Sequence, residues 1–387
     1  MNPYCSRRKF LRTAAVSVAG AYLVPSVKSW ASAAPTAPVA VGQCQTYGSE
    51  VLPTLAKMFD QLGGLERLVK GKTVAIKVNM TGMATNRLGY APAEMTYWSH
   101  PQVIGAVVHL MGRAGARRVR LLESPMSTAE TLEEFMLAGN WEPREFMSAA
   151  PLVEFENTNC LGKGKKYSRF VVPGGGLVYP AYDLNHSYED CDVFASLAKL
   201  KEHYGAGVTL SMKNCFGITP CTIYGDSAPI NEPSLIPKGG RGPFHWGNRQ
   251  PAKSALPEID PATPREGGYR LPRIVAEICA ARPIDLAIID GISTQAGGEG
   301  PWIPGIPGVR PVQAGLLVAG TNCVTTDAVG TALMGFDPMA ERGTAPFETC
   351  DSTLQLGEQL GLGTRDLRRI EVRGVPIDKA KVDFRRV

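Results

Sequence analysis

Residues 73–80, TVAIKVNM, are a β-rich run that is apolar apart from Lys77 and Asn79. Alternate side chains of a strand point to opposite faces, so Val74, Ile76 and Val78 share one face while Lys77 and Asn79 share the other. Both polar residues fall at the carboxyl end of the run. The stretch therefore predicts a buried strand whose end presents a lysine and an asparagine.

Strand and helix patterns alternate outward from this run. This order favours an α/β fold with a mostly parallel (mixed) sheet covered by helices, and two lobes sharing a cleft are a further expectation. The predicted elements are a helix from His100-Pro101 to about Ala114, a strand at Arg118–Glu123, a helix at Thr128–Gly139, a strand at Asp192–Ala198, helices at Val208–Phe216 and Arg273–Ala281, strands at Asp285–Asp290 and Gly315–Ala319, a helix from about Cys323 to Met334 capped by Thr321-Asn322, and an edge strand at Arg369–Arg373.

These elements suggest a division of the chain. Residues 71–340 form the predicted core α/β domain, preceded by a lead-in segment at 34–70 and followed by a C-terminal extension at 341–387 that packs on the core. Within the core, residues 225–272 hold 7 glycines and 9 prolines, which predicts an irregular flap over a site or an insertion.

The first 33 residues are typical of a twin-arginine export signal. Arg7 and Arg8 precede an apolar stretch from Ala14 to Val24, and the small residues 31–33 form an A-x-A-like cleavage site. The apolar stretch is roughly half of the ~20 residues that span a bilayer, so no permanent membrane span is expected. We predict passage through the twin-arginine translocase and a periplasmic or extracellular location.

Charge and cysteine usage narrow the function classes. The net charge of +5 is accounted for by five Lys and Arg residues within 1–33, a segment without acids. The remainder is close to neutral, which argues against nucleic acid as a partner. Eight cysteines follow residue 33 without a C-x-x-C pair, so no iron–sulfur cluster is expected.

Polar residues recur where the predicted strands end. Ligands bind beyond the carboxyl ends of strands in open parallel sheets, so these side chains are expected to converge although they are far apart in sequence. They are Lys77 and Asn79 after the first strand, Glu123 after the second, the alternating Lys199, Lys201 and His203 after the third, and Asp290 after the fourth.

Other candidates lie near these strand ends in sequence. Lys213-Asn214 stands in the apolar context LSMKNCFGI, and His245 is interpreted as a residue of the flap. Glu299 lies in a glycine-containing loop, where backbone can approach a ligand closely. Asp327 lies one turn into a predicted helix, where it either faces the site or favours the helix N-terminus.

Together these motifs resemble the family called domain of unknown function 362. The resemblance runs from about residue 71 to 340, and Lys199-Leu200-Lys201-x-His203 with Lys213-Asn214 is its most specific part. Many members carry a ferredoxin-like module with clustered cysteines, which this sequence lacks. The resemblance implies a fold and a site but no reaction.

Three functions remain open at this stage. The first is an enzyme acting on a small anionic substrate, in which Lys77, Lys201, His203, Lys213 and Glu123 act catalytically and Asn79, Asn214 and His245 bind the ligand or a cofactor. The second is a site for a divalent metal or another cofactor, with Asp290, Glu299 and Asp327 as metal ligands. The third is a periplasmic protein that binds a small anion without catalysis.

Overall fold

The run that begins at Thr73 forms a fully buried strand near the centre of the main sheet. The computed structural model describes residues 34–125, 131–161, 166–226, 228, 239–301 and 308–385. The predicted export signal lies outside the described residues. From Ala34 onward the chain forms one compact unit, and the cleft described below lies within it.

Within the part of the chain that the structure describes, eight strands form the main sheet, in the order β12-β1-β11-β10-β7-β2-β3-β4. Five neighbouring strands, from β10 to β4, are parallel, and β11 runs antiparallel to both of its neighbours. The strands are β1 (Val39–Gln43), β2 (Thr73–Lys77), β3 (Arg118–Glu123), β4 (Val153–Asn157), β5 (Tyr167–Val171), β6 (Ala181–Asn185), β7 (Val193–Lys199), β8 (Glu202–His203), β9 (Gly207–Val208), β10 (Leu286–Ala296), β11 (Arg310–Gly320) and β12 (Val372–Gly374).

Helices cover both faces of this sheet, which confirms the predicted α/β class and its mostly parallel, mixed sheet. They are α1 (Val51–Gln61), α2 (Glu66–Val69), α3 (Pro101–Arg113), α4 (Leu132–Ala138), α5 (Pro143–Ala149), α6 (Leu210–Cys215), α7 (Cys221–Tyr224), α8 (Gly242–His245), α9 (Gly267–Ala281), α10 (Cys323–Leu333), α11 (Thr353–Gln359) and α12 (Ile377–Ala380).

Side-chain alternation along β2 divides the apolar interior into two cores. Val74 and Ile76 belong to the core beneath α1 and α3, whereas Ala75 belongs to the core beneath α6, α9 and α10. Lys77 continues the Ala75 side and therefore points toward α6. The period of two in the sequence is thus realised in the packing.

Several predicted boundaries differ from the structure. The lead-in segment supplies β1, which lies between β11 and β12, and α1. Helix α9 begins at Gly267 rather than Arg273 because Pro272 is accommodated inside the helix. The strands predicted at 285–290 and 315–319 are the adjoining parts of a long antiparallel pair, β10 and β11.

Candidate functional site

A small cleft opens beyond the carboxyl ends of β2, β3 and β7, where the fold brings three strand ends together. Its volume is about 70 Å³, enough for a group of roughly five heavy atoms. Its lining includes Lys77, Asn79, Met80, Thr81, Glu123, Ser124, Lys201, His203, Thr209, Lys213, Asn214, Phe216, Gly217, Gly240, Arg241, His245 and Glu299. Nine of the eleven site residues predicted from the sequence border this one cleft.

Lys77 and Glu123 form a buried ion pair at the base of the cleft. The ammonium lies 2.6 Å from Glu123 Oε1, and the two side chains are 2% and 3% exposed. Glu123 also accepts hydrogen bonds from the backbone N–H groups of Met80 and Ser124, both at 2.9 Å. Burial lowers the pKa of Lys77, while the Glu123 carboxylate acts in the opposite direction. Gly217 permits this packing, because a Cβ there would lie 3.1 Å from the lysine Nζ.

Two asparagines connect the end of β2 to α6. Asn79 Nδ2 donates to Asn214 Oδ1 at 3.0 Å. Asn214 Nδ2 in turn lies 3.0 Å from Ser196 Oγ and 3.3 Å from the carbonyl oxygen of Lys77. The pair fixes the wall of the cleft from which Lys213, the neighbour of Asn214, projects.

On the opposite wall, His203 and Glu299 form a second pair. His203 Nδ1 lies 2.9 Å from Glu299 Oε2, and it also lies 3.1 Å from the backbone nitrogen of Gly205. We assign the Nδ1 proton to the contact with Glu299, because an unprotonated Nδ1 would set a lone pair against a carboxylate oxygen. Nε2 then carries the lone pair, and it has no hydrogen-bond partner within the described ranges.

In this pair Glu299 is ionised at pH 7 and His203 is neutral. Burial lowers the pKa of His203 to about 4, so the imidazole is neutral at pH 7. Burial alone raises the pKa of Glu299, but His203, Lys213 and Lys201 outweigh it and hold that pKa at about 2. Lys201 donates to the Glu299 carbonyl oxygen at 2.6 Å. The wall therefore combines a carboxylate, a neutral imidazole and a lysine.

Lys213 differs from the other cleft lysines in its contacts. Its ammonium lies 4.3 Å from the centre of the Phe216 ring, and among the described residues it has neither an ion pair nor a hydrogen-bond acceptor. Burial lowers the pKa values of both Lys213 and Lys201 to about 7. Both protonation states of these amines are therefore populated at neutral pH.

Arg241 completes the positive side of the cleft, and the sequence reasoning missed it. Its backbone is left-handed, with φ of +64°, and its side chain is 4% exposed. Nε donates to the Thr219 carbonyl oxygen at 2.8 Å, and Nη2 donates to that of Ser124 at 3.0 Å. These bonds attach the glycine-rich segment to the core and place His245, one helical turn later, at the cleft. The available sequence cue was an arginine flanked by Gly239, Gly240 and Gly242.

Asp290 does not reach the cleft, so its predicted convergence with Lys77 and His203 is wrong. Asp290 faces the opposite side of the sheet, where its Oδ2 lies 2.9 Å from Lys199 Nζ and both side chains are fully buried. Tyr47 donates to Asp290 Oδ1 at 3.0 Å and stacks on His100 at 3.5 Å between ring centroids. Lys199, predicted to align with Lys201, belongs to this second cluster.

Asp327 also lies outside the cleft. Its Oδ1 accepts from the backbone N–H and the hydroxyl of Ser211, at 2.9 and 2.6 Å, and its Oδ2 accepts from the Met212 N–H at 2.8 Å. The carboxylate thus binds the first turn of α6, the helix that carries Lys213. Burial nevertheless raises the pKa of Asp327 to about 7.

The three predicted metal ligands are consequently far from a common centre. Asp290 pairs with Lys199, Asp327 binds α6 and Glu299 pairs with His203. Within the described ranges, no group of three or more His, Cys, Asp or Glu side chains lies close enough to hold a metal ion. The metal hypothesis for Asp290, Glu299 and Asp327 is therefore not what the geometry supports.

The comparisons with known proteins place the chain in a family. The chain belongs to the family described as Domain of unknown function (DUF362), which matches residues 74–332. This range contains the described cleft, and the match confirms the family resemblance inferred from the motifs.

Among individual relatives, the chain is similar to the thylakoid-associated protein sll1697 of Synechocystis sp. The two are 25% identical over 326 residues, which cover 84% of this chain and 79% of the relative. A solved structure of a Thermotoga maritima protein matches with a TM-score of 0.35 and 15% identity. That match covers 70% of this chain and 54% of the solved chain, so the present chain spans about half the length of that protein.

None of the helices that the structure describes is both long enough and apolar enough to cross a bilayer.

Proposed function

We propose that this protein is an enzyme that acts on a small anionic substrate by acid–base chemistry, with Lys213 as the group that binds the anion and His203 as the group that moves the proton. The observation that carries the proposal is the Lys213 ammonium, which borders the cleft without an acceptor among the described residues. A partly buried cation in this position is stabilised when a bound anion supplies the missing partner.

The charge balance of the cleft favours an anion. Lys77, Lys201, Lys213 and Arg241 carry four positive charges when protonated, and they face the two carboxylates Glu123 and Glu299. The Lys77–Glu123 pair is already neutralised at 2.6 Å. The excess positive charge therefore lies with Lys201, Lys213 and Arg241, and a carboxylate or phosphate group would balance it.

The same geometry supports proton transfer. A base must be unprotonated at the operating pH, and burial lowers the pKa of His203 to about 4, so its imidazole is neutral at pH 7. His203 Nε2 is the proton acceptor, and Glu299 fixes the ring through Nδ1 at 2.9 Å. In this proposal His203 Nε2 removes a proton from the bound substrate, while the protonated Lys213, Lys201 and Arg241 stabilise the negative charge that develops.

A panel of small acids tests binding first. We expect phosphate, acetate, glycolate or pyruvate to bind the wild-type protein in isothermal titration calorimetry, and Lys213→Met to weaken that binding by about tenfold or more. The matched control is Lys253→Met, which removes an exposed lysine outside the cleft. Equal affinities for Lys213→Met and the control would contradict the assignment of the anion to this cleft.

Proton exchange separates an enzyme from a protein that only binds the anion. The bound acids are incubated in D₂O, and loss of carbon-bound hydrogen is followed by ¹H NMR. The proposal expects exchange with at least one bound acid in the wild-type protein and none with His203→Phe, which removes both ring nitrogens. Binding without exchange for every acid would leave a non-catalytic anion-binding protein as the function.

We also propose that the protein is exported through the twin-arginine translocase and works in the periplasm or outside the cell. The support is the order of the Arg7-Arg8 pair, the apolar stretch and the small residues at 31–33. Replacing both arginines by lysine keeps the charge and should retain the protein in the cytoplasm in cell fractionation. Unchanged export of this double variant would refute the route.

A further inference from the structure

The hydrogen bonds around Asn214 determine which end of its amide is the donor. Ser196 Oγ donates to the carbonyl oxygen of Ser211 at 3.0 Å, so this hydroxyl accepts from Asn214. The same end of the Asn214 amide lies 3.3 Å and 3.4 Å from the carbonyl oxygens of Lys77 and Leu197. All three neighbours are acceptors and only the NH₂ group can donate, so this end is Nδ2 and the other is Oδ1.

The orientation of Asn79 follows from that of Asn214. Asn214 Oδ1 faces the Asn79 amide at 3.0 Å, and two oxygens at that distance would repel each other. Nδ2 of Asn79 must therefore donate to Asn214, which leaves Oδ1 of Asn79 as the free end. This oxygen is an acceptor by elimination.

No hydrogen-bond donor reaches Asn79 Oδ1 from the residues that the structure describes. Asn79 is 4% exposed and borders the cleft. A buried acceptor without a donor is rare in native proteins, and a bound ligand or ordered water usually satisfies it. Two groups at the cleft therefore lack a partner among the described residues. Asn79 Oδ1 is an acceptor without a donor, and the Lys213 ammonium is a donor without an acceptor.

We infer that the substrate is a small hydroxy acid, whose acidic group pairs with Lys213 and whose hydroxyl donates to Asn79 Oδ1. This inference rests on the proposed function and specifies its substrate class. A hydroxyl is favoured over an ammonium donor because Lys201, Lys213 and Arg241 would repel a second cation in so small a volume. The volume of about 70 Å³ matches a group of a few heavy atoms inside the cleft.

Matched acids test the inference on the wild-type protein. Glycolate and acetate are both carboxylates at pH 7 and differ by one hydroxyl, as do lactate and propionate. We expect each hydroxy acid to bind about tenfold more tightly than its partner in isothermal titration calorimetry, with competition NMR as a second readout. Equal affinities within both pairs would overturn the inference, because an ordered water would then satisfy Asn79.

Variants of Asn79 assign the preference to its oxygen. Asn79→Ala should bind glycolate and acetate equally, whereas Asn79→Asp retains an acceptor and should keep the preference while binding both acids more weakly. A preference that persists in Asn79→Ala overturns the inference. If Asn79→Ala fails to fold by circular dichroism, loss of the preference in Asn79→Asp overturns it instead.

The failure of the proposed function has a different outcome. If no acid binds the wild-type protein, or if Lys213→Met leaves the affinity for acetate unchanged, the anion site itself is wrong and the inference fails with it. If acetate binds through Lys213 but glycolate binds no better, only the assignment of a hydroxy acid fails.

Discussion

Binding of a small anion should draw protons into the cleft at mildly alkaline pH. Burial lowers the pKa values of Lys201 and Lys213 to about 7, so at pH 8 each amine of the free protein is about one-tenth protonated. An opposite charge within about 4–6 Å raises a lysine pKa by roughly 1–3 units, so the amines become largely protonated once the anion is bound. Uptake of about one to two protons per acetate is therefore expected at pH 8.

The sign of the pH dependence follows from this uptake. Both lysines carry their charge below pH 7 and lose it above, so affinity for acetate should fall as the pH rises from 7 to 9. With one proton taken up per anion, the loss is about tenfold per pH unit in the alkaline part of this range. Acetate remains ionised throughout, so the change belongs to the protein.

Calorimetry at pH 8 in two buffers with different ionisation enthalpies measures the uptake directly. The observed binding enthalpy should differ between HEPES and Tris in proportion to the number of protons bound. Lys213→Met should remove one of the two contributions and roughly halve the difference. Identical enthalpies in both buffers, together with constant affinity from pH 7 to 9, would refute the reasoning.

Three further predictions concern the groups around the cleft, each measured by urea unfolding together with acetate binding. Lys77→Met and Glu123→Gln should each lower the free energy of unfolding by about 3–5 kcal/mol, because each leaves a buried charge without its partner. The double variant should lose at least about 2 kcal/mol less than the sum of the two single losses. Strict additivity of the two losses would contradict the ion pair. Asp327→Ala leaves three donors of α6 unpaired, so it should lower the free energy of unfolding by about 2–5 kcal/mol and weaken acetate binding. Unchanged acetate binding would show that the Asp327 carboxylate does not position Lys213 on that helix. Tyr47→Phe removes a hydroxyl from the buried cluster at Asp290, so it should lower the free energy of unfolding by about 1–3 kcal/mol without altering the affinity for acetate. A change in that affinity would show that the two faces of the sheet are coupled.

Local sequence patterns predict the parts of the fold that depend on neighbouring residues. The period of two in TVAIKVNM places Lys77 and Asn79 on the α6 side of β2, where the structure has them. Asn322 caps α10 as expected, since its Oδ1 accepts from the Thr325 N–H at 3.0 Å. In these cases the interaction that fixes the element lies within a few residues of it.

The same rule fails where a strand ends. Lys199, Lys201 and His203 share a face only if the chain stays extended, but β7 ends at Lys199. The chain then turns into the short pair β8 and β9, so Lys199 points to Tyr47 while Lys201 reaches Glu299. Tyr47, the hydrogen-bond partner of Lys199, lies 152 residues away in the sequence, and no local pattern could indicate this contact.

Arg241 shows why the cleft could not be completed from the sequence. Its guanidinium is positioned by carbonyl oxygens of Thr219, Gly217 and Ser124, and the last of these is 117 residues away. Every residue has a backbone carbonyl group, so the sequence does not indicate which carbonyl groups an arginine will contact. The position of an arginine held in this way therefore depends on the tertiary fold. A glycine-rich flank indicates only that an unusual backbone is tolerated there.

The arrangement of charges distinguishes groups that have partners within the fold from groups that the proposed function assigns to a ligand. Lys77, Lys199 and Asp327 are buried with their partners in place, and each holds an element of the fold through those contacts. Lys213 and Asn79 Oδ1 share the same surroundings but lack such partners among the described residues. Leaving both groups unpaired lowers the stability of the free protein, and in the proposed function a bound substrate supplies the missing partners. A ligand that presents an anion to Lys213 and a hydroxyl to Asn79 Oδ1 would satisfy both groups. Comparing hydroxy acids with their parent acids therefore distinguishes a site that merely attracts anions from one that recognises a hydroxy acid.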